Sequence, residues 1–357
     1  MSETAEPTVL ARVERGVGHL TLNRPRAINA LDLDMVGQLT TALDAWQADA
    51  DVELVLLDGA GERGLCAGGD VRGLREQLLA GRPDDVALFF RSEYHLNAQI
   101  AEYPKPVVAL ADGITMGGGI GLAGHAAVRI VTERSRLAMP ETRIGFTPDV
   151  GGSWLLAHAP GRVGEYLALT GETMDADDAV YAGLADLRVP SDRLGELDPR
   201  ALSECFDTRA PRAPARSTSG DEPAPSRLEA ARVWIDDAFA ADTVTEIIAR
   251  LRGNGDPAAS ATADALDQAA PTALTVTLAA IRRARGLPDL RAALAQEYGL
   301  VMWFAQTQPD LVEGIRAQLV DKTRDPRWHP ATLAGLPVDL AAEALAWLPP
   351  VPLWSTG

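Results

Sequence analysis

Short apolar runs alternate with helix-like spacing through the first half of the chain. Runs rich in Val and Leu at 9–13 and 19–23 flank a Gly-containing turn, which predicts a β-hairpin. Further strand signals fall at 54–57, 107–111, 128–132 and 137–139, and helical signals fall at 32–49, 71–79 and 86–102. Because parallel strands need long crossover connections and helices supply them, this alternation predicts an α/β domain with parallel strand pairing.

The second half of the chain has helical spacing and no convincing strand signal. Helices are predicted at 227–239, 244–251, 258–269, 271–285 and 290–306. Between the two halves, residues 207–226 are mostly Pro, Ala, Ser and charged residues, which offer little to bury. We therefore predict an α/β domain at 1–200, a Pro/Ala/Ser-rich linker or loop at 207–226, and a C-terminal helical region at 227–357.

Composition and charge narrow the classes of function. The 357 residues are 46% hydrophobic and 23% charged, as in soluble globular proteins. The net charge of −17 argues against nucleic acid and anionic membranes as partners, because phosphate binding needs clustered Lys and Arg. No run reaches the ~18 uncharged apolar residues of a membrane span. The first residues are acidic and lack a signal-peptide pattern, so we expect a cytoplasmic protein.

The sequence contains few residues that could bind a metal ion or form disulfide bonds. Cys66 and Cys205 are too few for a four-thiolate zinc site or a disulfide framework. The five histidines show no metal-ligand spacing such as His-Glu-x-x-His. We therefore expect no metal ion.

Two glycine-rich segments, 66–70 and 113–121, each lead from a loop into a predicted helix. The first N–H groups of a helix lack intrahelical partners, and small residues let a ligand approach them. One N–H group from each segment could converge on a single oxygen and stabilise an oxyanion. A single Gly-rich turn more often serves tight packing, but two in one chain favour function. The Gly-x-Gly-x-x-Gly pattern at 119–124 lies too far from the preceding strand to predict a nicotinamide site.

A third segment, 139–152, carries two carboxylates, Glu141 and Asp149, among apolar residues and glycines. Such surroundings raise the pKa of a carboxyl group and suit a general base. An arbitrary glutamate is more often a helix cap or part of a surface ion pair. Pro148 interrupts any helix that would place the two carboxylates on one face.

Taken together and in this order, the segments resemble the enoyl-CoA hydratase/isomerase (crotonase) superfamily. Residues 23–31 (Asn-Arg-Pro-Arg-Ala-Ile-Asn-Ala-Leu) are similar to its N-terminal signature. Residues 66–70 and 116–119 are similar to its two oxyanion segments. The resemblance implies an α/β, crotonase-like spiral of ββα units with an appended C-terminal helical region. It also implies that the backbone N–H groups of Ala67 and Gly118 hold the thioester oxygen of a coenzyme A substrate.

Within the superfamily, the chain is most similar to the 3-hydroxyisobutyryl-CoA hydrolase branch. Hydratases carry one catalytic glutamate at the position of Gly121 and the other at the position of Glu141. The hydrolase branch keeps Met-Pro-Glu-Thr at 139–142, has an aspartate that matches Asp149, and has a longer C-terminal region. Its substrate-contacting glutamate matches Glu93.

This resemblance implies hydrolysis of a short 3-hydroxyacyl-CoA, in the first place 3-hydroxyisobutyryl-CoA in valine breakdown. Glu141 would activate water or attack the thioester itself, and Asp149 and Glu93 would accept a hydrogen bond from the substrate hydroxyl. No cofactor is expected, because coenzyme A is part of the substrate.

Other readings stay open at this point. The chain could be an enoyl-CoA hydratase or isomerase that uses Glu141 with a different partner, or a catalytically silent subunit that binds acyl-CoA. Arg26 and Lys105 are candidates for holding the coenzyme A phosphates, because these need local positive charge. Members of the superfamily commonly form trimers through their C-terminal helices, which implies a homo-oligomer unless the longer tail covers that surface.

Overall fold

A six-stranded sheet organises the first half of the protein, whose computed structural model describes residues 6–201 and 225–354. The strands are β1 (Val9–Glu14), β2 (Val17–Leu22), β3 (Leu54–Gly59), β4 (Val107–Ala111), β5 (Ile114–Met116), β6 (Val128–Val131), β7 (Arg136–Ala138) and β8 (Leu187–Arg188). The large sheet has the order β1-β2-β3-β4-β6-β8, and β5 pairs with β7 in a second sheet. Among these eight strands of the described residues, β1 and β2 pair antiparallel and the other pairs are parallel, so the predicted hairpin and parallel pairing are both confirmed.

Helices connect these strands and then form the C-terminal region. Those of the first half are α1 (Leu33–Gln47), α2 (Val71–Leu79), α3 (Pro83–Ala101), α4 (Gly118–Ala123), α5 (Gly152–Ala157), α6 (Val163–Thr170) and α7 (Ala176–Tyr181). Those of the second half are α8 (Arg227–Phe239), α9 (Val244–Gly253), α10 (Pro257–Gln268), α11 (Pro271–Ala284), α12 (Leu290–Thr307), α13 (Asp310–Ile315) and α14 (Leu340–Ala346). The predicted α/β fold with a helical C-terminal region is confirmed.

Local sequence signals explain where the helices begin. The Asp32 side chain accepts a hydrogen bond from the backbone N–H of Met35 and caps α1. Helix α3 begins at Pro83, three residues before its predicted start. Proline suits the first turn of a helix, because its ring fixes a helical φ and its missing N–H is not needed there. Ser226, at the end of the predicted linker, is buried and caps α8. Residues 207–224 of that linker lie outside the described residues.

The C-terminal helices share a hydrophobic core with the α/β half. Phe146, which follows β7, stacks on Phe90 of α3 with 6.0 Å between ring centroids. On its other side, Phe146 meets Phe304 of α12 edge to face at 5.7 Å. One continuous buried cluster therefore joins the two regions. Within the described ranges, no helix is long and apolar enough to cross a membrane.

Candidate active site

A cavity of about 820 Å³ lies between the α/β half and the C-terminal helices. It is lined by residues of the two glycine-rich segments and of the segment that carries Glu141 and Asp149. Its walls include Phe89, Phe90, Glu93 and Phe146 from the first half, and Ala265, Gln268, Leu311, Leu319 and Arg324 from the second. The three segments that the sequence singled out therefore meet in one place.

Two backbone N–H groups converge where the glycine-rich segments meet. Gly118 is the first residue of α4, and among the described residues its N–H has no acceptor. The nitrogen of Gly69 lies 3.4 Å from the point where a Cβ on Gly118 would sit, and its N–H is likewise without an acceptor in the described chain. Gly117 precedes α4 with φ +47°, a conformation that favours glycine. These two donors form a candidate oxyanion hole.

The prediction that the Ala67 N–H serves as an oxyanion donor is corrected by the structure. This N–H donates to the Ile28 carbonyl oxygen at 2.9 Å, so it is already used within the protein. The backbone on either side pairs with the segment around Leu31, whose N–H donates to the Gly68 carbonyl at 2.8 Å. The free donor of this segment is Gly69, two residues further along the chain.

Glu141 is the first residue of a short 3₁₀ turn, Glu141–Ile144, and it lines the same cavity. Its side chain is buried, and its Oε2 has no hydrogen-bond partner among the described residues. Its Oε1 lies 3.0 Å from the point where a Cβ on Gly117 would sit. Burial, and secondly the charge of Asp149, raise the pKa of Glu141 well above its usual range.

Asp149 and Glu93 add two further buried carboxyl groups to the cavity. The Tyr94 hydroxyl donates to Asp149 Oδ2 at 2.8 Å. Burial raises the pKa of Asp149 to about 7, although the bond from Tyr94 opposes this shift. Glu93 Oε1 has no partner in the described part of the chain, and burial followed by the charge of Asp149 raises the pKa of Glu93 well above its usual range. The structure thus brings together Glu93, Glu141 and Asp149, as predicted from the sequence.

Gly121 is enclosed, so a side chain does not fit at this position. A Cβ there would lie 2.6 Å from Val150 Cβ and 2.9 Å from Asn97 Nδ2. Contacts this short require the backbone or the neighbouring side chains to move. The isopropyl group of Val150 and the amide of Asn97 occupy the surrounding space.

Two residues that matter to the site escaped the sequence analysis. Tyr94 binds Asp149, and Glu297 of α12 accepts hydrogen bonds from the backbone N–H groups of Gly151 and Ser153. Glu297 was detectable, because the spacing of Leu294 and Val301 places it on the buried face of a predicted helix. A glutamate on such a face needs a polar partner.

The predicted phosphate-binding residues do not line the cavity. Lys105 donates to the carbonyl oxygen of Trp46 in the last turn of α1 and to that of Asp49 just after the helix, so it stabilises the fold. Arg26 is not among the cavity residues. The arginines that do line the cavity are Arg143 and Arg324.

A structural metal site needs several His, Cys, Asp or Glu side chains grouped around one point. In residues 6–201 and 225–354, no group of three or more His, Cys, Asp or Glu side chains is arranged to hold a metal ion. The absence of a metal and of a cofactor remains a prediction from the sequence.

Comparisons with known proteins agree with one another on family and fold. The sequence model of the enoyl-CoA hydratase/isomerase family matches residues 17–345. A protein from Danio rerio named "3-hydroxyisobutyryl-CoA hydrolase, mitochondrial" is 37% identical over 94% of this chain and 88% of its own length. The protein of the same name from Rattus norvegicus is 39% identical over 93% of this chain and 86% of its own length.

Solved structures cover nearly the whole chain. A carnitinyl-CoA dehydratase from Mycobacterium thermoresistibile is 46% identical with a TM-score of 0.88, covering 98% of this chain and 99% of its own. An enoyl-CoA hydratase from Rhodobacter sphaeroides 2.4.1 is 42% identical with a TM-score of 0.88, covering 98% and 100%. These similarities extend through the C-terminal helices.

Proposed function

This chain belongs to the enoyl-CoA hydratase/isomerase family, and on that premise we propose that it hydrolyses a short 3-hydroxyacyl-CoA thioester. The preferred substrate is 3-hydroxyisobutyryl-CoA, an intermediate of valine breakdown. The observation that carries the proposal is one cavity that combines three buried carboxyl groups with two backbone N–H groups that have no acceptor among the described residues. The hydrolases from Danio rerio and Rattus norvegicus support it by their similarity over most of the chain.

The two N–H groups would hold the thioester oxygen. When an oxygen nucleophile attacks the carbonyl carbon, negative charge builds up on the carbonyl oxygen. Donors from Gly69 and Gly118 would stabilise that charge, and they need no rearrangement because the backbone holds them in place. Losing one such donor typically costs ~3 kcal/mol of transition-state stabilisation.

Glu141 would supply the attack on the carbonyl carbon. As a base, it takes a proton from water, the hydroxide adds to the carbon, and the coenzyme A sulfur leaves with the proton that Glu141 returns. As a nucleophile, its carboxylate displaces the sulfur to form a mixed anhydride, which water then hydrolyses. Both routes use the Glu141 carboxyl group, whose Oε2 has no partner in the described part of the chain, and neither needs a metal or a redox cofactor.

Asp149 and Glu93 would select hydroxylated acyl groups. A substrate hydroxyl can donate to a buried carboxyl oxygen that otherwise has no partner in the described chain, such as Glu93 Oε1. A plain acyl group leaves that oxygen unpaired, and an unpaired buried polar atom costs ~1–3 kcal/mol. The carboxyl groups therefore serve specificity as well as chemistry.

A second candidate is the addition or removal of water, because the two solved relatives are named as a dehydratase and a hydratase. Hydratases of this family use a glutamate at the position of Gly121, where Val150 and Asn97 leave no room for a side chain. The reaction would then depend on Glu141 and Asp149. The third reading, a catalytically silent subunit, does not explain why these two carboxyl groups lie beside free N–H donors.

One pair of assays separates the three functions. Purified protein is given 3-hydroxyisobutyryl-CoA while free thiol is followed, and crotonyl-CoA while enoyl absorbance is followed. We expect thiol release from the first substrate and little change with the second. Loss of enoyl absorbance without thiol release would establish the hydratase, and neither signal would favour the silent subunit.

The cellular location stays a prediction. The sequence analysis expects the cytoplasm, whereas the animal relatives are named as mitochondrial proteins. Fractionation of cells that make the protein from its natural gene would decide between the two compartments.

A further inference from the structure

The turn that carries Asp149 is strained. Val150 has φ +53°, and Gly151 has φ +79°. The left-handed region is unfavourable for a β-branched residue such as valine, so the surroundings must hold the backbone in this conformation. The strain lies directly beside one of the proposed substrate-binding carboxyl groups.

Two side chains from distant segments hold this turn. Glu297 of α12 accepts from the Gly151 N–H at 2.6 Å through Oε2, and from the Ser153 N–H at 2.8 Å through Oε1. The His125 Nε2 donates to the Val150 carbonyl oxygen at 2.8 Å. Glu297 is fully buried, so both of its hydrogen bonds are shielded from water.

The contacts of Glu297 act on the backbone immediately after Asp149. The N–H groups of Gly151 and Ser153 lie at the start of α5, where helical N–H groups lack intrahelical partners. The Gly152 N–H closes the turn by donating to the Asp149 carbonyl oxygen at 2.6 Å. A change in this turn therefore moves the Asp149 side chain relative to Tyr94 and the cavity.

We propose that Glu297 is a positioning residue that sets the Asp149 carboxyl group against the substrate hydroxyl. This inference rests on the proposed function and deepens it, because it assigns part of the substrate selectivity to the C-terminal helical region. Glu297 does not line the cavity, so it acts through the turn and not by touching the substrate.

The central test is the Glu297→Gln variant. Glutamine keeps the size of the side chain but offers one carbonyl oxygen for two N–H groups and turns its own N–H₂ towards one of them. We expect the ratio of kcat/KM for 3-hydroxyisobutyryl-CoA over isobutyryl-CoA to fall about tenfold, with hydrolysis of isobutyryl-CoA changed little. An unchanged ratio in an active, folded variant would overturn the inference.

A double-mutant cycle distinguishes positioning from general destabilisation. Asp149→Asn alone should lower the same ratio, and adding Glu297→Gln to it should lower the ratio little further, since the positioned group is already altered. Independent, multiplying effects would contradict the inference. Glu165→Gln is the matched control: Glu165 is also fully buried, binds Arg162 and Arg285, and lies outside the cavity. It should change stability but not the ratio.

Amide hydrogen exchange gives a readout that does not depend on hydrolysis. Exchange at Gly151 and Ser153 should be faster in Glu297→Gln than in the unaltered protein, and Glu165→Gln should leave it unchanged. If Glu297→Gln does not fold, Glu297→Asp takes its place, because it keeps a carboxyl group on a shorter side chain. An unaltered protein that releases no thiol refutes the proposed function, whereas unchanged exchange at both amides refutes the contact on which this inference depends.

Discussion

At the scale of single residues, Glu141 and Asp149 share a cavity but differ in their partners. Asp149 is fixed by the Tyr94 hydroxyl, while Glu141 keeps an oxygen without a partner among the described residues. A group that moves protons or attacks a carbon needs a free oxygen, whereas a group that orients a substrate benefits from being held. This difference supports the division of roles between them.

The Glu141→Gln variant tests the catalytic role directly. The amide keeps the size of the side chain but can neither take up a proton nor attack, so kcat should fall at least ~10²-fold. The KM should change little, because the proposed oxyanion donors are the backbone groups of Gly69 and Gly118. Steady-state thiol release measures both, with circular dichroism as the control for folding. Near-native hydrolysis by the folded variant would exclude Glu141 from the chemistry.

The Tyr94→Phe variant tests whether the protonation state of Asp149 controls hydrolysis. The Tyr94 hydrogen bond lowers the pKa of Asp149, which burial has raised to about 7. Removing the hydroxyl should raise this pKa further, so the loss of hydroxyacyl-CoA hydrolysis on acidification should begin at a higher pH. The measurement is kcat/KM from pH 5.5 to 9 for both proteins. Superimposable pH profiles would show that Asp149 does not control the reaction.

At the scale of elements, α4 packs so closely against the Asp149 turn that its residues must stay small. Gly121 touches Val150, and Gly119 lies against the backbone of Cys66, so a Cβ at either position would meet neighbouring atoms at 2.6 Å or less. This packing brings the N-terminus of α4, with the Gly118 N–H, next to the segment that carries Glu141 and Asp149. The same packing removes the position from which a hydratase glutamate would act.

Gly121→Ala should destabilise the protein by about 1–3 kcal/mol, because the added methyl group overlaps Val150 Cβ. Gly37→Ala in α1 is the control, since a Cβ there meets nothing within 4 Å. That change should stabilise the protein by about 0.5–1 kcal/mol through helix propensity. Urea denaturation measures both. Equal effects from the two substitutions would show that α4 has room to adjust.

At the scale of the whole molecule, the C-terminal helical region completes a cavity that the α/β half begins. It contributes the lining residues Leu311, Leu319 and Arg324. Its buried Glu297 lies outside the cavity and binds the turn that follows Asp149. A homo-oligomer remains a prediction, which sedimentation equilibrium would test.

Stability should decrease as the pH rises, because burial raises the pKa of Asp149 to about 7 and that of Glu297 to about 8. The folded state then binds more protons than the unfolded state between the ordinary carboxyl pKa and these values. The free energy of unfolding therefore falls as the pH rises through this window. Urea denaturation from pH 5 to 9 measures the slope, and Glu297→Gln should reduce it. A stability that rises across this window would contradict the raised pKa values.

The sequence alone was sufficient for the family and the fold class, and it singled out most residues of the candidate site. Helix α2 was predicted with both of its ends, and the apolar face of α1 is buried as expected. These predictions succeed because periodicity and end signals act between residues close in the chain. Glu93, Glu141 and Asp149 could be identified because each lies in a short segment that resembles a family motif.

Tertiary structure decided which groups are free to act. The sequence offered several N–H groups at 66–70. The tertiary structure shows that the Ala67 N–H donates to Ile28, whereas the Gly69 N–H has no acceptor among the described residues. Glu297 lies 146 residues from Gly151, and no local pattern specifies that contact. Periodicity indicates that a side chain is buried but not what it meets there, because the partner of a buried polar group is set by how distant segments pack.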